Sequence, residues 1–413
     1  MIPRLFLLLV ALSAAPFAAL ANGRNLFAEL LGQSESATDA KINAAFAQLF
    51  HGDPENASIY FPVGDDMAYI GDIGNGDVRS EGMSYGMMIA VQLDRRAEFD
   101  RLWKWARTHM YHATGPRRGY FAWQCAFDGR PLDPGSASDG EEWFATALFF
   151  AAHRWGRTSS AAGGRVPSPG NPPASATTPV DYASEAQSLL RAMLHHPRED
   201  NITPIFDRAR HQVVFAPTGD GSKFTDPSYH LPAFYELWAR WAADPADRAF
   251  WSAAAKESRA FFQRAANPRT GLMPEYAHFD GTPVNRGGRG DFRFDAWRTP
   301  ANVALDHAWW SADPWAVAEC NRVLRFFASQ GPAIANQFTL DGKPLSTDTS
   351  AGMLAMAAVA GLAADPALAK PFVQRLWDMP IPSGHWRYYD GLLYQLALLE
   401  CSGRFRIFGP VVP

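Results

Sequence analysis

The chain has 413 residues, 47% hydrophobic and 19% charged, with 33 Gly, 31 Pro, 14 Trp, 28 Phe and three Cys. An apolar fraction of that size with a net charge of −4 excludes a disordered chain, and so few cysteines exclude a disulfide scaffold. A pI near 6.3 has the wrong sign for a phosphate-binding surface, so no nucleic-acid partner is expected.

Met1–Ala21 opens with Arg4 before an apolar run from Leu5 and ends in Ala19-Leu20-Ala21, the small-x-small pattern of a signal-peptidase site. The run contains Ser13 and Pro16 and is short for a bilayer span. It predicts a signal peptide cleaved before Asn22 and an exported protein, periplasmic or extracellular, with no membrane attachment. Cys125, Cys320 and Cys401 are an odd set and read as small buried hydrophobes.

From Asn22 onward the chain repeats one pattern: a polar or Gly-rich loop, a carboxylate or aromatic, then an apolar helix. The instances are Ser80–Leu93, Ser138–Ala151, Ser228–Ala239, Phe294–Asp306, Thr347–Ala360 and Tyr388–Glu400. Each is apolar nearly all round, the signature of a helix buried on both sides. Between them, Phe99–Met110, Ser184–His195 and Phe250–Ala265 carry apolar residues at spacings of three and four, which leaves one wet face.

Six buried helices alternating with half-buried ones predict an inner ring within an outer ring, an all-α (α/α)6 barrel forming a single domain over 22–413. The inner helices then start at one end and gather their polar first turns into one cleft. Asp128-Gly129, Asp280-Gly281 and Asp341-Gly342, each followed by x-Pro, predict tight hairpin turns on the rim. Thr158–Val180, almost all Gly, Pro, Ser, Ala and Thr, predicts a flexible insertion.

Glu81, Asp139 and Asp295 stand at three of the predicted inner-helix starts. One such acid is readily explained as balancing a helix dipole. Three converging on one cleft fit glycosidic-bond hydrolysis, which needs one protonated and one ionised carboxyl. Trp123, Tyr229, Trp297, Tyr388 and Tyr389 lie at loop–helix junctions, where aromatic faces are placed to bury sugar C–H surfaces. His109 and His112 lack the Glu spacing of a zinc motif, Asn285–Asp291 (NRGGRGD) lacks a phosphate-loop context, and no G-x-S-x-G elbow occurs. No metal and no cofactor are expected.

Arg79–Gly86 (RSEGMSYG) together with Ser138–Ala152 (SDGEEWFATALFFAA) resembles glycoside hydrolase family 8. Asp226–Leu237, Glu275–Pro283, Asp295–Asp306, Asp65-Asp66 and Arg387-Tyr388-Tyr389-Asp390 resemble its branch of reducing-end xylose-releasing exo-oligoxylanases, over about Asn25 to Phe408. The resemblance implies the same barrel, an inverting mechanism and a xylo-oligosaccharide or xylan substrate, and the enzyme is expected to act as a monomer. It implies Glu81 as general acid, Asp295 as general base, Asp139 as a carboxylate holding the sugar at the point of cleavage and Tyr229 as a residue positioning water. It further implies Trp123 as a platform and Arg298 as partner of the carboxylates, with Tyr388 and Tyr389 also in the substrate site. For these roles Glu81 must keep its proton near neutral pH, and the acid and base carboxyls should stand roughly 6.5–9.5 Å apart.

Exo-acting relatives carry a Leu-His-Pro stretch before the fifth inner helix, where this chain has Leu345–Gly352 (LSTDTSAG). Release of xylose from the reducing end is the leading expectation. An endo-acting β-1,4-xylanase with an open cleft, or an endoglucanase of the same family, is the alternative. A polysaccharide lyase and a silent sugar-binding protein are the readings from other classes.

Overall fold

The computed structural model describes residues 23–156 and 180–410. A short helix, Leu26–Leu31 (α1), is followed by Glu35–His51 (α2), which starts where the Ser34 hydroxyl accepts from the Ala37 amide. Strands Tyr60–Val63 (β1), Met67–Asp72 (β2) and Asp77–Arg79 (β3) then feed directly into Ser80–Gln92 (α3). Arg96–His109 (α4) returns alongside α3, and Gln124–Cys125 (β4) and Pro131–Asp133 (β5) complete an antiparallel sheet in the order β1-β2-β3-β4-β5. Ser138–Trp155 (α5) and Tyr182–His195 (α6) are followed by a hairpin of Phe206–Asp207 (β6) and Gln212–Val213 (β7). The chain continues as Pro232–Trp241 (α7), Pro245–Ala265 (α8), Thr299–Trp310 (α9) and Trp315–Ser329 (α10). Ala351–Val359 (α11), Pro366–Asp378 (α12) and Arg387–Cys401 (α13) complete it.

The odd-numbered helices from α3 to α13 form the inner ring. In α3 every residue except Glu81 is buried, and α5 is buried from Ser138 through Ala151. The even-numbered helices are amphipathic: α4 buries Phe99, Leu102, Trp103, Trp105 and Ala106 at helical spacing and leaves its charged face wet. Each inner helix packs on its own outer helix, and α3 touches both α5 and α13, which closes the circle. Between α5 and α7 the join is made by side chains: the Tyr235 hydroxyl donates to Glu142 (2.6 Å) and the Trp238 indole to Thr146 (3.2 Å). This is the (α/α)6 barrel.

The three Asp-Gly hairpins form as expected and share one design. Gly129, Gly281 and Gly342 have φ of 85°, 92° and 91°, so each turn needs a residue free of Cβ strain. Their tips lie against the last turns of α4, α8 and α10, where an added Cβ would meet His109, Arg264 and Phe326.

Three inner-helix starts differ from the sequence expectation. The fourth segment opens as a 3₁₀ turn, Phe294–Arg298, and α9 begins only at Thr299. Asp295 and Arg298 therefore lie three apart on that turn and not along one α-helix. Likewise Pro227–Tyr229 is a 3₁₀ turn ahead of α7, and α11 starts at Ala351, not at Thr347. Pro232 and Pro300 sit in the first turns of α7 and α9, where a missing N–H costs nothing, and Pro232 holds Leu231 out of the α conformation (φ −122°, ψ 64°).

Cys125, Cys320 and Cys401 are free and buried, as expected. No helix among the described residues is long and apolar enough to cross a membrane. The expected signal peptide (1–21) and nearly all of the expected insertion (158–180) lie outside the described residues.

Candidate active site

The sequence Ser80-Glu81-Gly82 places Glu81 in the first turn of α3, directly after β3. Gly82 lets Tyr388 approach, since a Cβ there would lie 2.5 Å from that ring. Gly140, next to Asp139, plays the same part toward Ser80, 2.6 Å from its hydroxyl. Small residues beside the two acids thus allow the starts of α13, α3 and α5 to crowd together. Neither α3 nor α5 has a side-chain N-cap; Glu81 and Asp139 stand in first turns whose leading amides, Ser80 and Ser138, donate to the Trp123 and Phe215 carbonyls.

One guanidinium organises the centre. Arg298 is 4% exposed, and its Nη1 donates to Glu81 Oε2 (3.0 Å) and Asp139 Oδ2 (2.9 Å). Its Nη2 reaches Asp295 Oδ1 (3.2 Å) and the Ser228 hydroxyl (2.8 Å). Nη1 also meets the Tyr85 hydroxyl, and the Tyr229 ring lies 5.5 Å from the guanidinium carbon. The three acids expected at one mouth are therefore joined through a single cation, within the span of one guanidinium.

The tyrosines of α13 divide between the two outer acids. The Tyr388 hydroxyl donates to Glu81 Oε1 (3.3 Å) and that of Tyr389 to Asp295 Oδ1 (3.4 Å). Trp123 lies beside the start of α3, its carbonyl accepting from the Ser80 amide (3.0 Å). Its ring is covered on one side by Arg79 (5.6 Å), which Asp72 (3.3 Å) and Asp77 (3.0 Å) hold in place. Glu81, Asp139, Asp295, Arg298, Tyr229, Tyr388 and Tyr389 are thus in mutual contact, and Trp123 stands beside them through Ser80 and Arg79.

The acids differ in surroundings. Burial pushes the Glu81 carboxyl up to about 8, assisted by Asp295 and Asp139 and opposed by Arg298. Burial also raises Asp139. Asp295 keeps a quarter of its side-chain surface open, with Arg298 and Tyr389 as donors. The arrangement sets a carboxyl that holds its proton to neutral pH beside a more solvated one that faces two donors, two carboxyls in unlike surroundings as acid–base hydrolysis requires.

Several functional neighbours were not singled out from sequence. Tyr85 and Ser228 complete the Arg298 shell, and Asn302 fixes the Ser228 carbonyl (2.8 Å). Asp226 is fully buried and accepts from the Ser228 amide and hydroxyl (2.7 Å each). Glu275, also fully buried, pairs with Arg289. Burial, then Asp295, pushes Glu275 up to about 8. The Gly-rich Asn285–Asp291 stretch delivers Arg289 to this acid. Glu141 takes the Phe121 amide (2.9 Å) and so anchors the segment that leads through Trp123 into β4. The only sequence signal for these groups was their place inside segments already singled out.

The profile of glycosyl hydrolases family 8 matches residues 71–162 and 212–402, more than half of the chain. The chain belongs to glycosyl hydrolase family 8. This family 8 enzyme is 45% identical to the reducing-end xylose-releasing exo-oligoxylanase Rex8A of Paenibacillus barcinonensis, over 93% of this chain and 96% of that protein. It is 42% identical to the reducing end xylose-releasing exo-oligoxylanase of Halalkalibacterium halodurans, over 94% and 95%. A family 8 catalytic-mutant xylanase from Teredinibacter turnerae, solved with xylohexaose, superposes with a TM-score of 0.86 at 42% identity, covering 95% of this chain and 99% of that one. The match spans the barrel from its first helices to its last, so the glycoside hydrolase assignment rests on the whole chain and not on a motif.

Proposed function

We propose that this family 8 enzyme hydrolyses β-1,4-xylosidic bonds in xylo-oligosaccharides with inversion, releasing xylose from the reducing end. The observation that carries the chemistry is the Arg298 clamp, which ties a protonated Glu81 and a more exposed Asp295 into one site. Glu81 gives its proton to the leaving glycosidic oxygen. Asp295 takes a proton from water on the opposite face of the sugar ring, and that water bonds to the anomeric carbon as the C–O bond breaks. The proton passed to Asp295 balances the one lost by Glu81, and the new reducing end is α.

Asp139 shares Nη1 of Arg298 through Oδ2 and leaves Oδ1 buried with no protein donor. A hydroxyl of the sugar at the cleavage point is the donor that suits it. Tyr229 packs over the guanidinium and holds the water side of the site, and Trp123 carries a pyranose on its free face. Xylose as the sugar is supported by the names of the relatives, whose similarity covers the whole barrel.

One observation favours a second reading, endo action. The Leu345–Thr349 loop is tethered beside the base: the Trp297 indole donates to the Asn336 carbonyl (2.8 Å), and the Asn336 amide donates to that of Asp348 (2.8 Å). Leu345, Thr347, Asp348 and Thr349 are exposed, and none supplies an imidazole or a proline ring to wall off the cleft. Xylohexaose carrying ¹⁸O at its reducing end, followed by mass spectrometry from the first turnovers, separates the two. Labelled xylose with unlabelled xylopentaose is the expected result. Label spread over xylobiose and xylotriose would establish endo action, and no cleavage would remove the xylan assignment.

We further propose that the protein is exported, on the strength of the Met1–Ala21 pattern. N-terminal sequencing of the protein recovered from periplasm or medium is expected to begin at Asn22. An intact Met1 in the cell membrane would contradict it.

A further inference from the structure

The largest exposed apolar side chain among the described residues is Trp386, 66% exposed; Phe127, Leu132, Phe294 and Leu345 reach only 38–43%. An open indole by itself is ordinary at a protein surface; what sets this one apart is that it presents a wide flat apolar face and is held in place. Its base is held firmly. The buried Arg387 donates to the carbonyls of Ser58 (2.8 Å), Gly384 (2.7 Å) and Pro54 (2.8 Å), and the Gly384 amide donates to the Asn56 carbonyl (2.7 Å). Gly384, at φ 77°, makes the turn that this docking needs.

The ring is seated as well as anchored. Its benzo edge rests on Gly74 in the turn between β2 and β3, where an added Cβ would lie 2.7 Å from two ring carbons, and His385 packs edge-on at 4.4 Å. Two and three residues further on, Tyr388 and Tyr389 touch Glu81 and Asp295. An immobilised, solvent-facing indole therefore stands at the outer end of the element that supplies the floor of the active site.

We propose that Trp386 is an outlying sugar-binding platform, taking the apolar face of a pyranose ring of a β-1,4-xylan chain that extends past Tyr388. It deepens the reading given under Proposed function and rests on it. The pre-ordered ring binds without an entropic penalty for immobilising it. It makes the enzyme favour chains long enough to reach from the cleavage point to the rim.

The test compares kcat/KM on xylohexaose with kcat/KM on xylotetraose for the wild type and W386A. The ratio of the two is expected to fall about five- to tenfold in W386A. W386F, which keeps a flat ring, is expected to retain most of the ratio, whereas W386L, which keeps only apolar bulk, is not. An unchanged ratio in W386A while the wild type cleaves both substrates overturns the platform alone. Failure of the wild type to cleave either overturns the xylan reading and the platform with it. A W386A-dependent loss of self-association in sedimentation, with the ratio unchanged, would assign the indole to a second copy of the chain and equally overturn the proposal.

Discussion

E81Q is expected to lower kcat on xylo-oligosaccharides by about a thousandfold or more, within the range for removing a general acid. The amide keeps the size of the carboxyl and an acceptor for Arg298, but it has no proton to give. An unprotonated leaving group would depart as an alkoxide. β-Xylobiosyl fluoride, whose fluoride leaves without protonation, should be hydrolysed by E81Q with a far smaller loss. The wild-type pH profile carries the same information. Glu81 is raised to about 8 by burial first, then by Asp295 and Asp139. The active form is protonated, so kcat/KM should hold up to about pH 8 and fall tenfold per unit above it; an ordinary glutamic acid would begin to fall near 4.3. Retention of more than a tenth of wild-type activity by E81Q would remove Glu81 from this role.

R298M is expected to lose about 3–5 kcal/mol of stability near neutral pH, and kcat should fall by about two to three orders of magnitude. Arg298 is buried, and its two terminal nitrogens serve Glu81, Asp139 and Asp295 together. Methionine fills the space but leaves three acids sharing one pocket without a counter-charge. The stability loss should shrink at pH 5. Glu81 already holds its proton over this range, but burial raises the proton affinity of Asp139, and without the cation Asp139 takes up a proton more readily, which relieves the repulsion. The cation also holds Glu81 below the value that burial alone would set, so the alkaline limb of the residual activity should move above 8. R298K should restore stability more than rate, since an ammonium supplies charge without the fork that reaches three acids at once. Equal melting temperatures for R298M and wild type across this pH range would contradict the clamp.

The barrel is what the hydrophobic pattern describes. Helices buried on both sides are apolar all round, and helices buried on one side are apolar in a stripe. Both signals are local, and α3, α5 and α4 show them within a few residues of the expected bounds. Less legible were the starts of the third, fourth and fifth inner helices, where the 3₁₀ turns Pro227–Tyr229 and Phe294–Arg298 and the loop before Ser350 delay the first α turn. That delay matters for function, because it puts Asp295 and Arg298 on a 3₁₀ turn with Phe294 at φ 31°.

The sequence by itself determined which residue types stand at the helix starts: Glu81, Asp139, Asp295 and the aromatics that accompany them. The barrel architecture and the family likeness could be read from it for the same reason, since each depends on a pattern within one segment. The family resemblance already implied Arg298 as partner of those acids, but only the tertiary structure decided that its two terminal nitrogens join all three, for Arg298 meets Glu81 across 217 residues of chain, Asp139 across 159 and Ser228 across 70. The same holds for Glu275 on Arg289 and for Trp386 on Gly74. Periodicity says which face of a helix is buried. Which buried polar group meets which, and how far its proton affinity is moved, depends on ring closure, because desolvation and Coulomb terms act through space and not along the chain.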